Sequence, residues 1–177
     1  MRLRLLRLLT LTAALATPAA AQNKGEVPTE LPAALLAQHA QRSWCDPIED
    51  LVHGNDQQIY RLSGEQYLFM VPCFAGAYNF SYQLYVGRPG DQIFDLLLFA
   101  NYDDVLGWTG TDELFGAYFD PETLALTSFY KGRGLGDCGA SGTWQWEEYA
   151  FRLVAFYAKS ECDGLGDPGE FPQVWPN

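Results

Sequence analysis

After Trp44 the chain never offers ten residues with apolar positions at helical spacing, and this excludes most architectures at once. It offers instead short apolar or alternating runs separated by turn chemistry. Tyr78, Phe80, Tyr82, Leu84 and Val86 alternate with Asn79, Ser81, Gln83 and Tyr85, a period of two that predicts a strand. Gly87 to Gly90, with Pro89, turns it. Gln57–Leu62 and Tyr67–Val71 flank Ser63-Gly64-Glu65 and predict a hairpin. Ile93–Phe99 is nearly continuous in apolar residues, the pattern of a strand covered on both faces. Leu114–Phe119 and Leu124–Tyr130 are joined by Asp120-Pro121-Glu122-Thr123, where proline presets φ at the second turn position. Thr143–Trp146 and Tyr149–Ala158 predict a last hairpin over Glu147-Glu148, with Tyr149, Phe151, Leu153 and Tyr157 on one face.

The helical pattern lies earlier. Pro32 suits the first turn of a helix, and Leu36, Ala40 and Trp44 recur four apart. They predict a helix from about Leu31 to Ser43, ended by Asp46-Pro47. His39 falls near its apolar face without a second histidine at ligand spacing, which suits a half-buried, hydrogen-bonded residue rather than a metal ligand. One helix followed by about eight short strands predicts an all-β fold, an antiparallel sandwich or a barrel-like meander. The Gly- and Pro-rich stretch after Cys162 reads as irregular, with Phe171 and Trp175 as its anchors.

Residues 1–21 have the makings of a secretory signal. Arg2, Arg4 and Arg7 precede an apolar run from Leu5 to Leu15, and Ala19-Ala20-Ala21 predicts cleavage before Gln22. Thr10, Thr12, Thr17 and Pro18 leave the run too short and interrupted to span a bilayer. Gln22, not a cysteine, stands directly after the cut, and no Arg-Arg pair precedes it, so neither a lipid anchor nor twin-arginine export is indicated. Residues 22–30 read as a flexible lead-in and 31–177 as a single domain, with no later segment of spanning length. The expected location is periplasmic or secreted.

Loss of the leader's three arginines takes the formal charge from −11 to −14, eight basic residues against twenty-two acidic. Such a body repels phosphate backbones and anionic lipid, so nucleic acid is not an expected partner. A cationic protein or a divalent cation would be attracted, although solubility alone accounts for the excess acid.

Cys45, Cys73, Cys138 and Cys162 form an even set in a chain bound for an oxidising compartment, and so predict two disulfides. None of them is spaced like a zinc knuckle or a redox motif. Of the three connectivities, hairpin geometry favours one. A turn centred between Glu147 and Glu148 pairs residues whose numbers sum to about 295, which sets Cys138 a few positions from Cys162. Cys45 then joins Cys73, tying the end of the helix to the first hairpin.

Two stretches stand out in composition. They are Val71-Pro72-Cys73-Phe74-Ala75-Gly76-Ala77-Tyr78-Asn79 and Lys131-Gly132-Arg133-Gly134-Leu135-Gly136-Asp137-Cys138-Gly139. With Phe119-Asp120, Trp144, Trp146, Phe151 and Cys162-Asp163-Gly164, the chain from about Cys45 to Pro176 resembles the domain-of-unknown-function 1176 family. The resemblance implies an exported bacterial envelope protein, a compact form of a family with longer members. It supplies no reaction, cofactor or catalytic residue.

Gly132–Gly142 holds five glycines and two charged side chains, Arg133 and Asp137. It reads either as a recognition loop pinned by Cys138 or as a tight crossover in which the two charges pair. Gly134-Leu135-Gly136-Asp137 is echoed by Gly164-Leu165-Gly166-Asp167. A Cys138–Cys162 bond would bring both copies together, where Asp137, Asp163, Asp167 and Glu170 offer oxygen ligands for calcium without regular loop spacing. Trp144 and Trp146 lie two apart, on one side of a strand. Facing outward they would make a sugar platform; facing inward they are core.

No nucleophile elbow and no zinc-protease motif is present, only His39 and His53 could serve as bases, and no cofactor is expected. Asp103-Asp104 and Glu147-Glu148 read as solvated turn residues. Three classes follow: a non-catalytic binding module for an envelope protein, a module for envelope glycan, and a carboxylate-based hydrolase.

Overall fold

The computed structural model describes residues 27–41, 44–51 and 58–176. The expected leader over 1–21, most of the lead-in, and His53 lie outside the described residues. Among the described residues, helix α1 (Ala33–His39) precedes twelve strands. These are β1 (Gln58–Arg61), β2 (Tyr67–Ala75), β3 (Phe80–Gly87), β4 (Asp95–Leu96), β5 (Phe99–Asp103) and β6 (Gly107–Thr111). There follow β7 (Glu113–Phe115), β8 (Tyr118–Asp120), β9 (Ala125–Lys131), β10 (Gly139–Glu147), β11 (Ala150–Lys159) and β12 (Gln173–Trp175).

All pairings are antiparallel, and the fold is an all-β sandwich. One sheet runs β1-β2-β3-β4, with β7 also on β3; the second runs β12-β11-β10-β9-β8; β5 and β6 form a separate ribbon. Leu68, Met70, Leu84 and Val86 of the first sheet pack against Leu126, Trp144, Trp146 and Phe156 of the second. A smaller cluster on the outer face joins Phe69, Val71 and Tyr85 to Leu31, Leu35 and Phe94. Strands β2 and β3 are therefore covered on both sides, and the alternation of β3 separates two buried faces rather than a dry and a wet one.

The helix is shorter than the predicted span, seven residues starting after Pro32. Alone it would be unstable. Leu31, Leu35 and His39 hold it to the sheet, whereas Trp44 is exposed, so the buried face is one residue off the predicted Leu36-Ala40-Trp44 stripe. His39 is fully buried against the Tyr85 hydroxyl at 3.2 Å. The Gln38 amide exchanges two hydrogen bonds with the backbone of Phe94 (2.8 and 2.9 Å). That grip takes Phe94 out of any ladder and corrects the reading of Ile93–Phe99 as one strand. Asp95-Leu96 pairs with β3, the Leu97 N–H adds a bond to the Leu84 carbonyl, Phe99 opens β5, and Ile93 and Leu98 face solvent.

The predicted strand Leu114–Phe119 is also divided. Gly116 sits at φ +53°, where a Cβ would stand 2.8 Å from the Phe129 carbonyl oxygen. Glycine lets the chain cross here, with β7 in one sheet and β8 in the other.

The last hairpin turns one residue later than expected. Glu148 and Tyr149 both have positive φ (45° and 74°), a two-residue turn that opposes Glu147 to Ala150. Further on, Trp144 faces Leu153 while Thr143 faces Ala155, so Val154 bulges. The bulge shifts the parity of β11. Phe156 and Ala158, not Tyr157, continue the buried face begun by Phe151 and Leu153.

Candidate functional site

The two disulfides are Cys45–Cys73 and Cys138–Cys162, with Cα separations of 4.5 and 4.9 Å. They point to an oxidising, extracytoplasmic environment. Among the described residues no helix is long and apolar enough to cross a membrane.

The β9–β10 connection, Gly132 to Cys138, is the glycine loop. Its register needs Gly139, whose φ is +142° and where a Cβ would stand 1.9 Å from the Tyr130 carbonyl oxygen. Arg133 donates from Nε and Nη2 to Asp137 at 2.7 and 2.6 Å, a two-pronged pair. Asp137 is 3% exposed and also accepts the Gly164 N–H at 2.6 Å. Thus the carboxylate ties the loop to its echo. Next to it Lys159 donates to Asp163 and to the Leu165 carbonyl, both at 2.6 Å.

The first signature stretch arrives at the same place. The Asn79 side chain donates to the Lys131 carbonyl at 2.9 Å and accepts the Lys131 N–H at 3.1 Å. The Tyr78 ring lies over Gly134. The stretches Val71–Asn79, Lys131–Gly139 and Cys162-Asp163-Gly164, far apart in sequence, meet at one end of the sandwich. In the sequence Tyr78 and Asn79 read as strand positions and as the end of the Val71–Asn79 stretch, not as site residues; an amide between aromatic positions at a strand's start is the signal they carry. The two copies of the Gly-Leu-Gly-Asp motif lie side by side, with Leu135 70% and Leu165 68% exposed.

Calcium ligation does not survive this geometry. Asp137 and Asp163 are committed to Arg133 and Lys159, and Glu170 accepts the Asp167 N–H within a capping box. Among the described residues no three His, Cys, Asp or Glu side chains gather to hold a metal ion. Trp144 and Trp146 are 2% and 5% exposed. They face inward, against Phe99, Phe156 and Phe151, and a sugar platform cannot be built from them.

The Asp137 carboxyl sits well below the usual carboxylate range. The hydrogen bonds from Arg133 lower it most, burial opposes them, and the Gly164 N–H and the Arg133 charge add to the lowering. A carboxyl whose folded pKa is lowered stabilises the fold above its unfolded value of about 4 and loses that contribution as pH falls toward the lowered one. Asp137→Asn is therefore expected to melt below the parent at pH 7. The gap should narrow from about pH 4 downward in melts taken to pH 2. A gap constant over that range would mean the charge is not what holds the loop.

Beside this loop end stands the tip of the β5–β6 ribbon. Asp103 Oδ1 accepts the N–H groups of Val105 and Leu106 at 2.8 Å each, and Asp104 accepts a hydrogen bond from the Ser160 hydroxyl. The sequence reads both aspartates as solvated turn residues; the first shapes the turn and the second ties it to the chain beyond β11. A cleft of about 370 Å³ lies between tip and loop, lined by Asp103, Asp104, Tyr130, Gly132 and the Cys138–Cys162 bond.

A family model described as "Protein of unknown function (DUF1176)" matches residues 8–177. The chain belongs to the DUF1176 family. It is 33% identical over 125 residues to "Uncharacterized protein YpfG" of Escherichia coli strain K12, an alignment covering 66% of this chain and 34% of YpfG. The chain thus spans about a third of the length of the curated relative it matches. No solved structure matches it.

Proposed function

We infer that this DUF1176 chain is a non-catalytic binding module that works in the periplasm or after secretion, its signal cleaved after Ala21, and holds another protein by its loop end. The observation that carries this reading is the rigidity of that end. A disulfide, a two-pronged ion pair and the Asn79 amide lock three segments, yet Leu135 and Leu165 are left in solvent. Aliphatic side chains displayed on a fixed backbone suit recognition, because little conformational entropy remains to be lost on binding. Arg133, still 44% exposed, offers the charged part of the surface, with Asp137 holding it in place. A hydrolase has less support: Asp137 is consumed by its partners, and His39, the last residue of α1, is buried against the Tyr85 hydroxyl.

The test is capture from an envelope extract by the mature, oxidised protein, followed by purification of the captured partner. Leu135→Glu with Leu165→Glu is expected to weaken binding of that partner at least tenfold, a loss of about 1.4 kcal/mol or more. The melting temperature should be unchanged, since neither side chain is packed. Undiminished binding would make the loop a structural crossover.

A further inference from the structure

The β5–β6 ribbon leaves one strand edge open. Among the described residues β6 pairs with β5 and with no other strand. β5 runs along the body, where Asn101–Asp104 border a cleft with Tyr130, Gly139 and Ala158. β6 is the more exposed of the two, with Trp108, Thr109 and Gly110 in solvent. Along the outer side of such a strand, alternate residues turn their N–H and C=O groups toward water. The other outer strands are guarded: β4, β7, β8 and β12 have only two or three residues, and β1 carries Arg61. The sequence of β6, Gly-Trp-Thr-Gly-Thr, has neither charge nor proline to block an added strand.

Two features define what fits this edge. A Cβ at Gly110 would meet nothing within 4 Å. Trp108, two residues away on the same face, stays 44% exposed after packing on Tyr102 and Phe156, at ring separations of 5.2 and 5.5 Å. A bulky side chain opposite Gly110 therefore finds room and an aromatic neighbour. The second feature is charge. Asp103 and Asp104 mark the ribbon's tip, at the Gly107 end of β6. Asp103 accepts from two backbone N–H groups and Asp104 from the Ser160 hydroxyl, all neutral donors. Among the described residues no cationic side chain lies within ion-pair distance of either.

We propose that β6 receives an extended segment of a basic protein as an added antiparallel strand. A large apolar side chain lies opposite Gly110, and a lysine or arginine lies at the Gly107 end, beside the tip carboxylates. Main-chain hydrogen bonds supply the attachment, and the two side chains supply the selection. A cationic segment complements a chain of net charge −11, whereas a second copy would bring like charge to the same edge. The inference rests on the reading of the chain as a binding module and names the charge and form of its partner. It uses a strand edge rather than the leucine pair.

The probe is the peptide acetyl-Thr-Phe-Thr-Val-Lys-Lys-amide, titrated calorimetrically into the oxidised protein at about 0.15 M salt. Saturable binding at about 1 mM or tighter is expected. Two versions N-methylated on alternate residues, one set or the other, test the pairing, because successive residues of a strand aim their N–H groups at opposite edges. One version should bind as the parent peptide does and the other about tenfold or more weakly. Asp103→Asn with Asp104→Asn should weaken binding about fivefold or more while the melting temperature holds, because amide oxygens still accept the same hydrogen bonds. Glu65→Gln with Glu122→Gln, in the β1–β2 and β8–β9 turns, removes the same charge elsewhere and should leave binding unchanged. Equal affinity of the two N-methylated peptides, equal weakening by both charge variants, or absence of binding would overturn the proposal. A dimer of the peptide-free protein that the peptide dissociates would overturn it too, by giving the edge to a second copy. Leu135→Glu with Leu165→Glu should not weaken peptide binding, so failure of the loop-end reading and failure of the strand edge appear in different variants.

Discussion

Trp144→Ala is expected to lower the unfolding free energy by about 3–5 kcal/mol, the range for truncating a buried large aromatic residue. Trp144 sits between the sheets, edge-on to Phe99 at 5.3 Å and near Phe156 at 6.4 Å. Its ring covers Gly142, where even a Cβ would approach to 2.1 Å. Backbone packed this closely on an indole cannot collapse to fill the space the indole leaves. Against a typical domain stability of roughly 5–15 kcal/mol, the loss is a large fraction of the whole. Urea unfolding followed by far-ultraviolet dichroism reads it directly. A midpoint unchanged from the parent would contradict the inward orientation of Trp144.

The second large effect is expected from Cys138→Ala with Cys162→Ala. The bond closes a 24-residue separation, and the chain-entropy account assigns it about 3.5 kcal/mol. Its loss also loosens the turn that feeds the Gly164 N–H to Asp137. The variant should therefore show a lower urea midpoint together with faster hydrogen exchange at Gly164, while Trp144 remains buried. Exchange at Gly164 as slow as in the parent would mean that the Asp137 contact holds the tail unaided.

Much of this architecture is legible in the residues. The short runs between turn signals translate into antiparallel strands, and hairpin arithmetic brings Cys138 close enough to Cys162 to choose the connectivity. The arithmetic succeeds in spite of a displaced turn: opposed pairs sum to 297 near the turn and to 298 beyond Val154. A bulge changes the register by one residue without a composition of its own, so the assignment of Phe156 rather than Tyr157 to the core was not readable. The segment Ile93–Phe99 failed for a different reason. Its apolarity is that of a strand, but Gln38, more than fifty positions earlier, takes the backbone bonds a strand would need. The candidate site is a product of convergence. Arg133 and Asp137 stand out by isolation among glycines, whereas their union with Asn79 and Gly164 requires the start of β3, the β9–β10 connection and the chain beyond β11 to meet.

The cysteines pair in the order in which they occur, first with second and third with fourth. Neither bond passes from one sheet to the other. The first sheet draws on residues 58–96 plus the short β7, and the second on 118–175. A chain emerging amino end first can therefore oxidise Cys45 with Cys73 before Cys138 has appeared, and each thiol meets its native partner as the next cysteine in line. Oxidative folding of this chain should need an oxidant but little reshuffling of wrong bonds, since vectorial emergence itself selects the pairing.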